Sequence, residues 1–275
     1  MKALNTMNLN TTTASSNEPR TKSNGLLIVG SILLIISLIC TIITRQTYSE
    51  ELKHPYAYSL TGLFVAVMLT IRGIYKAVIG VHPKQRADVK RLAQAGLLAA
   101  LCYIGFTFFK IDIPVGTEKT AFHFGNVFCV LAALLLGGYW GGLAGAVGMT
   151  IGDLTTAYVT SAPKTFLLKL LIGMIVGFVA HKLCKLTHEH SVKYVTVTTI
   201  VSCTCGMAFN VVADPLVGYF YKTYLLGVPQ DIAKTLAKMS TATTFVNAVV
   251  AVIAASIFYL ALRPALKKAG LFVEL

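Results

Sequence analysis

The sequence predicts an all-α membrane protein of eight transmembrane helices, and three observations carry that prediction. Of 275 residues, 55% are hydrophobic and only 13% are charged. That is about half the charged share of a soluble domain, and mean hydropathy is +0.70. Apolar runs of roughly 20 residues recur, the length that crosses a hydrocarbon core at about 1.5 Å per residue. Charges gather between the runs, and no intervening stretch is long enough to form a soluble domain.

Each element follows from this pattern in order. Residues 1–24 are rich in Thr, Ser and Asn and read as a disordered cytoplasmic tail. The first apolar run, Gly25–Ile43, is longer than a signal-peptide core and is followed by no small-x-small cleavage site, so it reads as a retained anchor. The second span, Tyr58–Val78, is interrupted by Arg72 and Lys76, which either snorkel to the inner surface or draw the segment into the interface. Together these spans make an N-terminal helix pair over 25–81. A connector over 82–91 follows, carrying His82, Lys84, Arg86, Asp88, Lys90 and Arg91. It separates the pair from a six-helix core over 92–265, with a second cytoplasmic tail over 266–275. The core opens with Leu92–Phe109. The apolar stretch from His123 to Thr156 is too long for one helix, and GGYWGG over Gly137–Gly142 divides it into two joined by a tight turn. The last spans are Thr165–Leu183, Tyr194–Ala213 and Met239–Leu262.

Lys and Arg total 24 and the net charge is +13. With both termini inside, fourteen fall on inner segments and eight on outer ones, leaving Arg72 and Lys169 within the membrane. The positive charge is thus read as facing anionic membrane lipid rather than nucleic acid, because no basic stretch is interleaved with exposed aromatics.

Sorted by depth, the polar residues form a level. His123 and Asn126 open the second core helix from outside, and Asp153 ends the third. Lys164 precedes the fourth and Lys169 lies a turn inside it, Asn210 and Asp214 are near the outer end of the fifth, and Asn247 is in the outer third of the sixth. Five helices therefore bring hydrogen-bonding groups to one depth. A lysine in mid-helix costs about 2.5–3.5 kcal/mol on insertion, so intramembrane charges face a protein interior or a wet cavity. A polar cavity open to the outside is expected, in preference to polar residues that only mark helix ends. Two other patterns admit two readings each. Gly137, Gly141 and Gly145, with Ala144, Gly148 and Gly152, form a small-residue ladder better read as close helix packing than as a site. On the first core helix, the pairs Ala95/Ala99 and Gly96/Ala100 suit either a partner helix or packing within the chain.

Several chemistries lack their residues. There is no GxxxxGK[ST] phosphate loop, no HExxH and no GxSxG elbow. The six cysteines form no CxxC pair, so small packing residues are the better reading than a zinc site or a disulfide framework. His188-Glu189-His190 reads as a solvated loop. No enzyme, metal or cofactor is expected.

The stretch HFGNVFCVLAALLLGGYWGGLAGAVGMTIGDL, His123 to Leu154, followed by SAPKTFLLKLLIGMIVGFVAHK, Ser161 to Lys182, resembles the substrate-binding S components of energy-coupling factor (ECF) vitamin transporters, riboflavin-type branch. The likeness extends over about residues 90–265. It implies a six-helix S component in a prokaryotic plasma membrane, preceded here by two helices outside the usual core. It also implies uptake of a vitamin or precursor, riboflavin-, pyridoxine- or pyrimidine-like, powered by a transmembrane coupling protein (T component) and two cytosolic ATPases. Ala95 and Ala99 match the family's partner-contacting alanines. His123, Asn126, Asp153, Lys169, Asn210 and Asn247 are the expected substrate-binding residues, with Lys169 and Asp153 either pairing or contacting a heteroaromatic ligand. The alternative is a stand-alone secondary transporter, which would show symmetry between halves; none is visible.

Overall fold

Backbone polar groups in lipid must be satisfied within the protein, which leaves helices or closed barrels as spanning forms. The computed structural model describes residues 24–46, 53–78, 89–115 and 118–275. The expected tail over 1–24 lies, but for Asn24, outside the described residues, as does most of the 82–91 connector. Among the described residues there are eight α-helices and one β-hairpin. In chain order they are α1 (Gly25–Gln46), α2 (Lys53–Val78), α3 (Val89–Thr107), β1 (Lys110–Val115), β2 (Glu118–His123), α4 (Gly125–Leu136), α5 (Gly138–Leu154), α6 (Ala162–Gly177), α7 (Val192–Phe220) and α8 (Gln230–Lys268). Six of them are long and apolar enough to cross a membrane: α1, α2, α3, α6, α7 and α8. The chain is a multi-pass, all-α transmembrane protein.

Four details depart from the sequence reading. The segment after α3 is an antiparallel hairpin, with Lys110 opposite His123 and Val115 opposite Glu118. Because β2 runs to His123, α4 begins only at Gly125 and has 12 residues, about 18 Å of helix. So short a helix is tolerated because it is central: Val127 and the run Cys129–Leu136 are buried, and α3, α5, α6 and α8 surround it. Helix α7 does not stop at Ala213 but continues through Pro215, then widens into a π-helical turn over Tyr221–Leu225. Helix α8 has 39 residues, about 58 Å, well beyond a hydrocarbon core.

Lipid tails are as apolar as leucine, so burying apolar area does little to hold membrane helices together; close backbone approach does more. The glycine ladder is used in this way: a methyl group built on Gly141 would lie 2.3 Å from the Ala133 Cα of α4. Glycines outside the ladder do the same between α5 and α6. A methyl group built on Gly173 of α6 would lie 2.2 Å from the Gly142 Cα of α5, and one on Gly177 would lie 2.3 Å from the Gly138 Cα. Gly137, alone between α4 and α5, has φ +82°, a conformation that costs glycine little and other residues more.

The same close packing reaches α3. Ala95 is buried, and Ala99 is half-buried with its carbonyl oxygen 2.1 Å from where a Gly148 Cβ would stand. Ala95 belongs to the core cluster, and Ala99 packs against α5 at Gly148. The exposed small pair is Gly96 and Ala100, and nothing lies within 4 Å of a Cβ built on Gly96.

Helix α1 packs mainly on α2, and Ile28, Ile35, Ile39 and Ile43 point outward. Helix α2 packs against α6, with Val65 and Met68 on Phe166 and Leu170. At one end of the bundle Arg263 donates to the carbonyls of Leu186 and His188, both at 3.1 Å, and Lys267 pairs with Glu189 at 3.1 Å. The hairpin lies at the opposite end.

Candidate functional site

The hairpin is held by α8. Thr120 and Thr243 share a hydroxyl–hydroxyl bond of 2.8 Å. The Asn247 Oδ1 accepts from the His123 backbone N–H at 3.0 Å, and its Nδ2 donates to the Ala121 carbonyl at 3.0 Å. One amide side chain thus continues the sheet's hydrogen bonding onto a helix, which fixes where His123 points. On the other edge, Tyr158 Oη donates to Asp112 Oδ1 at 2.8 Å, and Lys110 pairs with Asp112 at 3.3 Å while lying 4.7 Å from the centre of the Tyr158 ring. Burial and the neighbouring Asp112 carboxylate push the Tyr158 phenol above its usual range, so it remains a donor.

Beneath the hairpin is a cavity of about 100 Å³. Phe106, from the end of α3, meets the His123 ring edge-on at 4.9 Å and the Tyr158 ring at 5.7 Å, making an aromatic wall. Met149 and Leu236 add apolar surface. All six sequence-chosen residues, His123, Asn126, Asp153, Lys169, Asn210 and Asn247, line this one cavity. They come from β2, α4, α5, α6, α7 and α8 in turn, so every core element but α3 and β1 contributes one.

The polar groups divide into satisfied and unsatisfied. Asp214 of α7 is saturated: Lys164 Nζ donates at 2.9 Å, Ser240 Oγ at 2.6 Å and Thr244 Oγ1 at 3.3 Å, tying α6, α7 and α8 together. The ion pair in the cavity wall is therefore Lys164–Asp214. Lys169 and Asp153, expected as a possible pair, form no salt bridge; among the described residues Lys169 Nζ reaches only Asn210 Oδ1, at 3.5 Å. Asn126 and Asp153 are each 2% exposed, yet Asn126 Oδ1 and Asp153 Oδ2 have no protein partner, and neither does the buried His123 Nδ1. Buried polar atoms are nearly always hydrogen-bonded, and these three exceptions belong to residues that line one cavity. Burial, with Lys169 and Lys110 close by, lowers the His123 imidazole to about 3, so the ring is neutral and offers one donor and one acceptor.

Sequence reasoning missed part of this wall. Tyr158, Ser161, Thr165, Ser240 and Thr243 carry no intramembrane charge and gave no signal by depth. Lys164 and Asp214 were visible at the right level, but nothing in the spacing showed that they pair.

A multi-pass bundle with a small polar chamber beneath one face has the form of a solute-binding membrane subunit. The family model described as ECF-type riboflavin transporter, S component, matches residues 86–264. The chain belongs to that family: it is the substrate-binding membrane subunit of an ECF-type transporter. This is a transport family and not an enzyme class, and it implies a vitamin-type substrate together with T-component and ATPase partners. The match begins beyond α1 and α2. No curated protein and no solved structure matches the chain.

Proposed function

We propose that the chain captures a small vitamin or vitamin precursor in the cavity beneath the β1–β2 hairpin and delivers it inward with energy from partner ATPases. The observation that carries this reading is the convergence of His123, Asn126, Asp153, Lys169, Asn210 and Asn247 on one chamber with three unpartnered buried atoms. In this reading His123, Asn126, Asp153 and Lys169 meet the substrate directly. Asn247 acts chiefly as a positioning residue, since it spends its oxygen and one proton on β2.

The hairpin face is taken as the outside of a prokaryotic plasma membrane, with both termini cytoplasmic. The lysine and arginine distribution supports this, because Arg263 and Lys267 lie at the far end from the cavity. The core over 92–265 docks on a transmembrane coupling protein bearing two cytosolic ATPases. Its exposed small-residue stripe on α3, Gly96 and Ala100, is a better contact surface than Ala95 and Ala99, which the fold uses internally. The helix pair α1–α2 is an addition to this core. It braces the outer end: Tyr58 Oη donates to the Leu154 carbonyl at 3.3 Å, and Arg45 Nη1 donates to the Leu225 carbonyl at 2.8 Å. A stand-alone transporter is disfavoured, because the family places energy coupling in partner subunits.

The test is co-purification of the tagged full-length chain from native membranes. A coupling protein and ATPases in the eluate support the reading. Substrate accumulation by the chain alone, in vesicles lacking those partners, refutes it.

A further inference from the structure

Lys164 and Lys169 of α6 line the chamber together with Asp153 and Asp214. Asp214 is already answered by Lys164 and two hydroxyls. Lys169 is 6% exposed, yet its ammonium has three protons to donate and reaches a single neutral amide oxygen at 3.5 Å, the long limit of a hydrogen bond. No carboxylate lies within salt-bridge distance of it among the described residues. A buried cation held so loosely is costly unless an anion joins it. At the same time Asn126 Oδ1 and Asp153 Oδ2 are buried acceptors that lack donors. The chamber therefore asks for an acid group at Lys169 and for N–H or O–H groups at Asn126 and Asp153.

The lining narrows the class further. The Phe106, His123 and Tyr158 rings offer aromatic surface to a flat ring.

Resting on the S-component reading above, we infer that the substrate is an aromatic or heteroaromatic carboxylate, its carboxylate paired with Lys169 and its ring-borne donors bonded to Asn126 and Asp153. This deepens that reading by giving the substrate's charge, which does not follow from membership of the family.

The experiment uses matched pairs that differ in charge but hardly in shape: 4-aminobenzoate and 4-aminobenzamide, nicotinate and nicotinamide, orotate and uracil, with riboflavin alongside. Binding to the purified full-length chain in detergent is measured by calorimetry. At least one acid binds about 10–100-fold more tightly than its neutral counterpart, the range of one buried charge-assisted bond. Lys169→Met collapses that difference, and Lys169→Arg retains part of it. The wild-type comparison stands even if Lys169→Met fails to fold. Neutral members or riboflavin binding as tightly as the acids, or no acid binding at all, overturns the inference. Co-purification of the coupling protein and ATPases is read separately, so the S-component assignment can survive that failure.

Discussion

Replacing Asp214 by asparagine keeps the side chain's shape and removes the charge that Lys164 meets at 2.9 Å. The two side chains are 17% and 11% exposed, so little water is available to take over. Stranding one member of a buried pair costs about 3–5 kcal/mol, and the residual exposure favours the lower end, about 3 kcal/mol. Lys164→Met leaves the opposite charge stranded but keeps the Ser240 and Thr244 hydroxyls on Asp214. It is therefore expected to cost less, about 2 kcal/mol. The double variant strands neither charge, and its cost falls short of the sum by about 1.5–3 kcal/mol. The assay is a double-mutant cycle of SDS-induced unfolding of the purified protein, followed by tryptophan and tyrosine fluorescence. Additive costs, with coupling below about 0.5 kcal/mol, would show that the pair does not hold α6 to α7 and would refute the reasoning.

Other perturbations give separate readouts. Tyr158→Phe removes the bond to Asp112, and amide hydrogen exchange over residues 110–123 should quicken about tenfold, the equivalent of about 1.4 kcal/mol; unchanged protection would show that the hairpin is held by α8 alone. Gly173→Ala places a methyl 2.2 Å from Gly142 Cα and should cost about 1–3 kcal/mol or more in the same unfolding assay, whereas Gly96→Ala, with open space around it, should be close to neutral. His123 has a folded-state value near 3, below its ordinary 6.5, so between these limits the unfolded chain binds a proton that the folded one refuses. Stability therefore rises with pH through that window and falls as pH drops from 6.5 towards 3. The melting temperature should decline between pH 6.5 and 4.5, and His123→Gln should flatten that decline; an identical slope in the variant would place the titration elsewhere.

The depth of polar residues proved the most informative part of the sequence. Asn126, Asp153, Lys169 and Asn210 are each costly in lipid, and that cost predicts that they turn inward; all four line the chamber. The Gly137 break was equally legible, since glycine interrupts an apolar run too long for one helix. The hairpin was not. Its strands carry six residues each, too few for periodicity to separate them from a loop, and they are held by Thr243 and Asn247 from more than a hundred residues away. The orientation of α3 was illegible for another reason. Ala95/Ala99 and Gly96/Ala100 are equivalent as spacings, and only the position of Gly148 on α5 decides which pair faces inward. Pro215 suggests a helix end, but α7 runs through it to Phe220.

The most direct measurement is mass spectrometry of small molecules that stay bound to the full-length chain purified from native membranes. Wild type should be compared with Asn126→Leu and Asp153→Asn, each first shown to be folded by its melting curve. An aromatic acid retained by wild type and lost from both variants is the expected result. The same small molecule retained equally by all three proteins would place the binding site outside the chamber beneath the hairpin.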